Sequence, residues 1–315
     1  MMDTIKISKT KESFLNEIVK PIFPGAEYEY EFELMFENLF KKTKYEYFGD
    51  NKFLHFTSTQ NLKSILESGY LRMSDFNNLV DNNELVYGLK VFNESITCEN
   101  TNKTKSEVFC LSACKSEEET QKDLFMWKEY AKNGSGVSIE YVIDIPNSIH
   151  FTLGEIQYGK DGLKPLHNLR SVYENHPLKT DFNLHNFVQS NPVLMSFNKS
   201  KKFTSEKEVR LFFRYVKGNW LGIDFGDIIY KDINSNNDVR NFMKIFIKQN
   251  TQKLEEPLRS FVERSFPQID IKRITLGFNL SNEQRVGLKN YFLELKQKHN
   301  YEFEIWQSKE ELKMW

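Results

Sequence analysis

The sequence predicts an α+β fold in which short strands and capped helices follow one another along the chain. Residues 53–72 contain an apolar strand-like run, a helix pattern that ends at Gly69, and a second extended run. Residues 137–143 alternate in the manner of a half-buried strand. Ser281 and Gln284 have the spacing of a capping box at the start of a long helix.

The composition indicates a folded protein without a strong charge bias. The chain has 315 residues, and 14% of them are aromatic, including 27 Phe, which is ample material for a core. Lys and Arg together number 43 and Asp and Glu 44, so the net charge is -1. This balance argues against a broad polyanion-binding surface, although a local basic groove is compatible with it.

The cysteines and the start of the chain indicate a protein of a reducing compartment. Cys98, Cys110 and Cys114 form no paired CxxC modules, which favours buried free thiols over a disulfide or a structural zinc site. The first residues lack the apolar core of a signal peptide, and no run of about 18 apolar residues is present. We therefore expect a cytoplasmic protein that does not engage a membrane, the alternative being export by a route that the sequence does not show.

The chain is predicted to form one main domain, residues 49–315, preceded by an N-terminal helical extension, residues 1–48. Apolar residues at helical spacing predict that the extension packs on the main domain. An insert at about residues 160–195 contains three histidines nine residues apart: His167, His176 and His185. That spacing fits no helical metal site, so we expect a surface or helical linker without metal.

The remaining elements follow from hydrophobic periodicity and from turn residues. Strands are expected at residues 52–57, 70–74, 108–112, 137–143, 151–158, 206–215, 271–277 and 301–306. Helices are expected from a cap at Ser58 or Thr59 to the stop at Gly69, from 84 to 93, from 117 to about 133, from 237 to 266 and from 281 to about 298. The polar residues 94–106 are expected to form a surface loop.

The predicted strand at residues 206–215 has one apolar and one charged face. With a period of two, one face carries Val209, Leu211, Phe213 and Tyr215, and the other carries Glu206, Glu208 and Arg210. Since the apolar face must pack into the core, the charged face points into a cleft or into solvent. An edge strand with a solvated charged face is the alternative.

Two further residues are unusual for their positions. His55 is a titratable ring inside the first strand, and Tyr130 lies on an aromatic-rich helix. Each has an ordinary explanation, as a hydrogen-bonded structural histidine and as a core tyrosine. Their combination and order with the charged strand suggest a common cleft.

Several short motifs occur in a specific order along the chain. They are His55-Phe-Thr-Ser, Asn61-Leu-x-x-Ile-Leu-x-x-Gly69, Leu71-Arg72, Asn78-Leu-Val-Asp-Asn-Asn-Glu84, Phe109-Cys-Leu-Ser112, Met126-Trp-x-x-Tyr130, Gly136-Val-Ser-Ile, Glu206-x-Glu-x-Arg210 and Ile274-Thr-Leu-Gly277. Over about residues 52–295 the chain thereby resembles the bacterial family catalogued as domain of unknown function 2971. It departs from the family in lacking a Pro in the motif that ends at Glu84. It also has Phe203 near the place where a Trp often precedes the glutamate motif.

That family looks like a branch of the ADP-ribosyltransferase fold, and the opening motifs are also similar to those of toxins that ADP-ribosylate DNA bases. The resemblance implies an α+β fold with an ADP-ribosyltransferase-like split antiparallel β-sheet core and flanking helices. It implies that NAD is the substrate and that no metal takes part. By position, the histidine, tyrosine and glutamate of such a site would be His55, Tyr130 and Glu208.

The chemistry implied by the resemblance gives these residues roles. Nicotinamide leaves the ribose through an oxocarbenium-like transition state, which Glu208 would stabilise while it holds the 2′-hydroxyl. Tyr130 would stack on the nicotinamide, His55 would bind the ribose, and the Phe56 backbone would hold the carboxamide. Glu206 would orient or activate the acceptor. Lesser candidates for binding NAD are Thr57, Arg72 (for the pyrophosphate), Glu84 and Arg210.

The acceptor and the biological role follow only by analogy. RNA or DNA is the first expectation and a protein side chain the second, for a bacterial toxin or anti-phage effector with an antitoxin or chaperone as its partner. Lys199, Lys201 and Lys202 form either a basic rim for a single-stranded acceptor or a solvated loop. The rival functions are NAD hydrolysis without transfer and an inactive module that binds a nucleotide or a partner.

Overall fold

The computed structural model describes residues 45–79, 81, 83–145, 151–175, 192–215, 228–233 and 239–308, together with positions 13, 16, 17 and 184. Almost all of the predicted N-terminal extension lies outside the described residues, as do His176 and His185, while His167 is exposed on a helix. Tyr45, near the end of the predicted extension, is buried. Its hydroxyl donates a hydrogen bond of 2.9 Å to the carbonyl of Gly162 in the main domain.

Strands and helices alternate along the described chain. The strands are β1 (Lys52–Thr57), β2 (Tyr70–Asp75), β3 (Val108–Lys115), β4 (Val137–Asp144), β5 (Phe151–Glu155), β6 (Gln157–Tyr158), β7 (Asn198–Lys199), β8 (Glu208–Arg214), β9 (Ile229–Ile233), β10 (Val239–Phe246), β11 (Gln268–Leu276) and β12 (Glu304–Gln307). The α-helices are α1 (Thr59–Ser68), α2 (Val86–Leu89), α3 (Cys98–Ser106), α4 (Glu118–Gln121), α5 (Leu124–Glu129), α6 (Gly159–Gly162), α7 (Lys164–Glu174), α8 (Val193–Ser196), α9 (Lys248–Thr251), α10 (Leu258–Ser265) and α11 (Asn282–His299). Two 3₁₀ turns span Phe76–Asn78 and Lys201–Glu206.

Ten of these strands form one largely antiparallel sheet. Eight of them lie in the order β12-β11-β4-β1-β3-β2-β10-β9, and β8 and β5 branch from β3. Strand β12 runs parallel to β11, and β6 and β7 form a separate parallel pair. The predicted α+β class is therefore confirmed, as an open, largely antiparallel sheet with flanking helices.

The sheet branches at β3. Strand β8 pairs with one edge of β3 along residues 108–114. The other edge is shared, because β1 pairs with residues 114–115 and β2 pairs with residues 109–110. Residues 111–113 of β3 lie between the part that pairs with β1 and the part that pairs with β2. Strands β1 and β2 therefore diverge from each other beside Ser112.

Apolar side chains cover both faces of the sheet. On one face, alternate residues of β3 and β8 join the largest core with α1, α10 and α11; they are Phe109, Leu111, Ala113, Val209, Leu211 and Phe213. On the other face, Cys110 and Phe212 belong to a second cluster with α2 and α7. Cys114 belongs to a third cluster with α5. The positions of β3 and β8 between these two smaller clusters are polar, and they build the candidate site.

Helix α1 begins and ends as the sequence predicts. The Ser58 side chain accepts a hydrogen bond of 3.1 Å from the backbone N–H of Asn61. Gly69 ends the helix at a φ of 78°. Because side chains other than glycine rarely adopt such an angle, the turn into β2 depends on this residue.

We expect Gly69→Ala to lower the free energy of unfolding by about 1–3 kcal/mol, because the strained backbone would carry a new Cβ against the side chain of Asn250. Gly287→Ala is the matched control, since Gly287 lies inside α11 with no atom within 4 Å of an added Cβ. That change should raise stability by about 0.5–1 kcal/mol. Chemical denaturation measures both values, and equal effects would contradict the role assigned to Gly69.

Two of the segment predictions are wrong. Residues 94–106, expected as a loop, contain α3, whose buried side chains Thr101 and Lys105 are polar. The segment therefore lacks the apolar stripe that reveals a helix. Residues 237–266, expected as helical, contain β10, followed by the short helices α9 and α10. Residues 242–247 are nearly all apolar, and a short apolar run fits a buried strand as well as a helix.

Several predicted boundaries also move. The helices expected from residues 84 and 117 are shorter, and the second is divided into α4 and α5. The strand expected at 151–158 is likewise divided into β5 and β6. Strand β8 begins at Glu208 because Glu206 ends a 3₁₀ turn and Lys207 has a positive φ of 44°. Within the described residues, no helix has both the length and the apolar character needed to cross a bilayer.

Candidate active site

Beside Ser112, where β1 and β2 separate, lies a cavity of about 220 Å³. Seven of the predicted site residues line it: His55, Phe56, Glu84, Tyr130, Glu206, Glu208 and Arg210. Leu54, Leu79, Met126 and Phe203 add apolar surface. The structure thus brings together residues from β1, α5, β8 and the segment before α2, which are far apart in the sequence.

Glu208 and Arg210 reach the cavity because they project from β8 on the face opposite the main core. The strand register places Glu208 opposite Cys114 and Arg210 opposite Ser112. Both side chains are buried, with exposures of 4% and 1%. The charged face of the predicted strand therefore points into the cavity and not into solvent, and Glu206 joins it from the adjoining 3₁₀ turn.

Protein acceptors occupy all five N–H donors of Arg210. Its Nε donates to Glu208 Oε1 at 2.6 Å, and Nη1 and Nη2 donate to the two carboxylate oxygens of Glu84 at 2.9 and 2.8 Å. Nη1 also donates to the Ser196 carbonyl at 2.9 Å, and Nη2 to Glu208 Oε2 at 3.2 Å. Burial alone would lower the pKa of Arg210, but Glu208 and Glu84 raise it well above its usual value. Arg210 organises the site and is not placed to bind a phosphate.

Lys199 lies at the centre of three carboxylates. Its Nζ is 2.6 Å from Glu206 Oε2, 3.0 Å from Glu208 Oε2 and 3.4 Å from Glu84 Oε1. Burial alone would lower the pKa of Lys199, but Glu208 and its neighbours raise it above the usual range. Burial would likewise raise the pKa of Glu208, but Arg210 and Lys199 lower it to about 2. Three carboxylates thus face two buried cations, a formal excess of one negative charge.

Tyr130 forms the wall of the cavity at the end of α5. Buried Trp127 fixes this helix, because its ring packs edge-on against Phe56 at 5.2 Å and its Nε1 donates to the Gln121 carbonyl. The hydroxyl of Tyr130 donates a hydrogen bond to Glu206 Oε1. Burial and this carboxylate raise the pKa of Tyr130, so the phenol stays protonated. With 40% of the residue exposed, Tyr130 offers aromatic surface to a ligand.

His55 lines the cavity from β1 and forms a hydrogen bond with the backbone of Ser112. Burial lowers the pKa of His55, and the Ser112 hydrogen bond only partly opposes this effect. The imidazole is therefore neutral at pH 7 and can hold a ligand hydroxyl by a hydrogen bond.

The lowered pKa of His55 predicts a pH dependence of stability. In the unfolded chain the ring takes up its proton near its ordinary pKa of 6.5, whereas the folded protein resists protonation until a lower pH. The unfolded state thus binds more protons than the folded state below pH 6.5. As the pH is lowered through this range, the free energy of unfolding therefore decreases, with a slope of up to about 1.4 kcal/mol per pH unit.

Urea unfolding of the wild type and of His55→Gln across this pH range measures the slope. We expect the difference in unfolding free energy between the two proteins to change with pH. His299, whose pKa burial also lowers, is present in both and cancels. A pH-independent difference would contradict the assignment.

Arg72 and Thr57, two predicted NAD-binding residues, do not line the cavity. Arg72 forms a salt bridge of 3.0 Å with Asp232 and packs over the ring of Phe242. Thr57 is buried and its Oγ1 accepts a hydrogen bond from Asn61. The structure thus places Arg72 on the part of the sheet formed by β2, β9 and β10, outside the cavity lining.

Three residues of the site were not predicted as part of it. Lys199, expected on a basic rim or in a solvated loop, is buried in the charge cluster, while Lys201 and Lys202 are exposed. Ser112 forms a hydrogen bond with the Glu208 carboxylate, and the Tyr158 hydroxyl accepts one of 2.8 Å from Glu208 N. The sequence held one signal for Lys199: it closely follows Met195 and Phe197, two apolar residues that are buried.

Comparison with known proteins gives one match. Residues 126–211 match the model of a family described as "Protein of unknown function (DUF2971)", the family that the sequence motifs resemble. A search of curated proteins and a search of solved structures each found no match. The matched residues include Tyr130, Lys199, Glu206, Glu208 and Arg210. Over residues 126–211, the chain is therefore similar to the DUF2971 family.

Proposed function

We propose that this protein is an NAD-dependent mono-ADP-ribosyltransferase that modifies a macromolecule, with RNA or DNA as the first acceptor class. Such an enzyme would act as a bacterial toxin or anti-phage effector. The observation that carries the proposal is that His55, Tyr130 and Glu208 line one cavity although they come from three separate elements. The separation of β1 and β2 along β3 is the feature that supports an ADP-ribosyltransferase-like split sheet.

The cavity has a suitable surface for each part of nicotinamide ribose. The exposed ring of Tyr130 and the apolar side chains of Leu54 and Met126 suit a flat aromatic ring. His55 and Glu208 supply the hydrogen-bonding groups that ribose hydroxyls require. The ribose would therefore lie between His55 and Glu208, with the nicotinamide towards Tyr130.

The reaction breaks the bond between the ribose anomeric carbon and the nicotinamide nitrogen. The bonding electrons leave with nicotinamide, and positive charge develops on the ribose. Glu208 suits this step because its pKa of about 2 keeps it ionised at neutral pH. The negative charge of the cluster would stabilise the oxocarbenium-like transition state.

Glu206 suits a role in activating the acceptor. Its carboxylate lies beside that of Glu208, with both bound to the ammonium of Lys199, and it accepts a hydrogen bond from Tyr130. A carboxylate there could take the proton of an acceptor hydroxyl or amine as that group attacks the anomeric carbon. The transfer then yields ADP-ribosylated acceptor, free nicotinamide and one proton.

One observation favours the rival function, a module that binds a nucleotide without turnover. Lys199 and Arg210 already contact the carboxylate oxygens of Glu208, so a ribose hydroxyl would have to share them. In an inactive relative, this cluster would serve only to hold the fold and to shape the cavity.

Incubation of the protein with adenine-labelled NAD and cell lysate tests the proposal. We expect release of nicotinamide and transfer of label to the RNA or DNA fraction, while label in the protein fraction would identify the second acceptor class. Free ADP-ribose without labelled polymer would identify a hydrolase. Binding of NAD without nicotinamide release would overturn the transferase proposal and support the binding module.

A further inference from the structure

A second, polar cavity of about 350 Å³ adjoins the first. The two cavities share Asp81, Glu84 and Lys199 in their walls. The other residues around the second cavity are mostly polar or basic: Asn83, Val86, Tyr87, Lys90, Asn198, Ser200 and Lys202. A single ligand could therefore extend from one cavity into the other past Lys199.

Two ammonium groups at the wall of this polar cavity, those of Lys90 and Lys202, are available to bind a ligand. Glu84 is bound to both Arg210 and Lys199. Asp81 and Glu84 also attract the ammonium of buried Lys105. By contrast, Lys90 and Lys202 are exposed at the cavity wall, and neither forms a salt bridge with a residue in the described parts of the chain.

The ring of Phe203 links Lys202 to Lys199 in the proposed reaction centre. The ammonium groups of Lys199 and Lys202 lie 4.6 and 4.5 Å from its centroid. Phe203 itself lines the first cavity. Lys202 is thereby held beside both cavities. There its ammonium group can bind an anionic group of a ligand whose other part occupies the first cavity.

We propose that the polar cavity is a phosphate-binding subsite in which Lys90 and Lys202 hold the anion. The identity of the ligand rests on the proposed function, in which both substrates carry phosphate: the NAD diphosphate and the backbone of a nucleic-acid acceptor. Ammonium groups and neighbouring hydroxyl and amide groups are suitable partners for phosphate oxygens. The subsite supplies the anion contact that Arg72, paired with Asp232, does not.

Calorimetric titration with inorganic pyrophosphate tests the subsite without requiring turnover. We expect the double variant Lys90→Gln/Lys202→Gln to bind pyrophosphate about tenfold more weakly or worse, because two charge-assisted contacts are lost. Nicotinamide, which has no phosphate, should bind equally to the variant and the wild type. The matched control is Lys248→Gln/Lys289→Gln, which removes the same charge from exposed lysines outside both cavities.

Titrations with ADP-ribose and with a short single-stranded oligonucleotide distinguish the two sources of phosphate. If the Lys90/Lys202 variant binds only ADP-ribose more weakly than the wild type does, the subsite belongs to the donor. If the variant binds only the oligonucleotide more weakly, the subsite belongs to the acceptor. The proposal is overturned if wild-type protein binds no pyrophosphate, or if the two double variants bind it equally. Because binding is read directly, a failure of the transferase proposal, seen as no nicotinamide release, remains a separate result.

Discussion

Glu208→Gln is expected to reduce the rate of nicotinamide release by about a hundredfold to a thousandfold, because it removes the charge that stabilises the developing oxocarbenium ion. Glutamine preserves the size of the side chain and can still accept a hydrogen bond from Arg210. Liquid chromatography of nicotinamide from NAD, at saturating and subsaturating concentrations, separates loss of turnover from loss of binding. We expect the loss to appear mainly in turnover.

Glu140→Gln provides the matched control for that measurement. Glu140 is a half-buried carboxylate on β4 that accepts a hydrogen bond of 2.6 Å from Arg273, and it does not line the cavity. Its replacement should leave nicotinamide release unchanged. If Glu208→Gln folds normally by circular dichroism and releases nicotinamide at the wild-type rate, the role given to Glu208 is wrong.

Arg210→Met should lower the free energy of unfolding by about 3–5 kcal/mol, because it breaks a buried ion-pair cluster. The substitution leaves the carboxylates of Glu84 and Glu208 buried without the guanidinium that joins them, although both still contact Lys199. A buried carboxylate that loses its partner retains its desolvation cost without the compensating attraction. Thermal and urea unfolding of the purified variant measure the effect.

Arg273→Met is the control for burial. Its salt bridge with Glu140 is more exposed to solvent, with side-chain exposures of 23% and 15%, so the loss should be only about 1 kcal/mol. The double variant Arg210→Met/Glu84→Leu should recover part of the stability, since it removes a carboxylate together with its partner. If Arg210→Met costs no more than Arg273→Met, then the buried cluster does not stabilise the fold in the manner described.

Local patterns were sufficient to predict the parts of the fold that depend on neighbouring residues. The strand before α1, a cap at Ser58 or Thr59 and the Gly69 stop were all predicted, because caps and stops are set within one turn. The alternation along β8 correctly separated Val209 and Leu211 from Glu208 and Arg210. These patterns act over a few residues and can be read directly.

What could not be predicted depends on contacts between distant residues. Residues 242–246 form a strand because β2 pairs with them, and nothing within this run itself excludes a helix. Lys199 is buried because Glu84, Glu206 and Glu208 surround it, whereas its neighbours in sequence, Lys201 and Lys202, are exposed. A lysine's environment is set by its partners, and its own sequence context does not contain them.

The side chain of Tyr45 contacts the residue that precedes Lys199 of the charge cluster. Its hydroxyl lies 3.4 Å from the Asn198 side chain, and its backbone carbonyl accepts a hydrogen bond of 2.8 Å from Glu155 N. Asn198 is the residue immediately before Lys199 in the short strand β7. A substitution that displaces Tyr45 would therefore disturb β7, and with it the position of the Lys199 ammonium at the centre of the site.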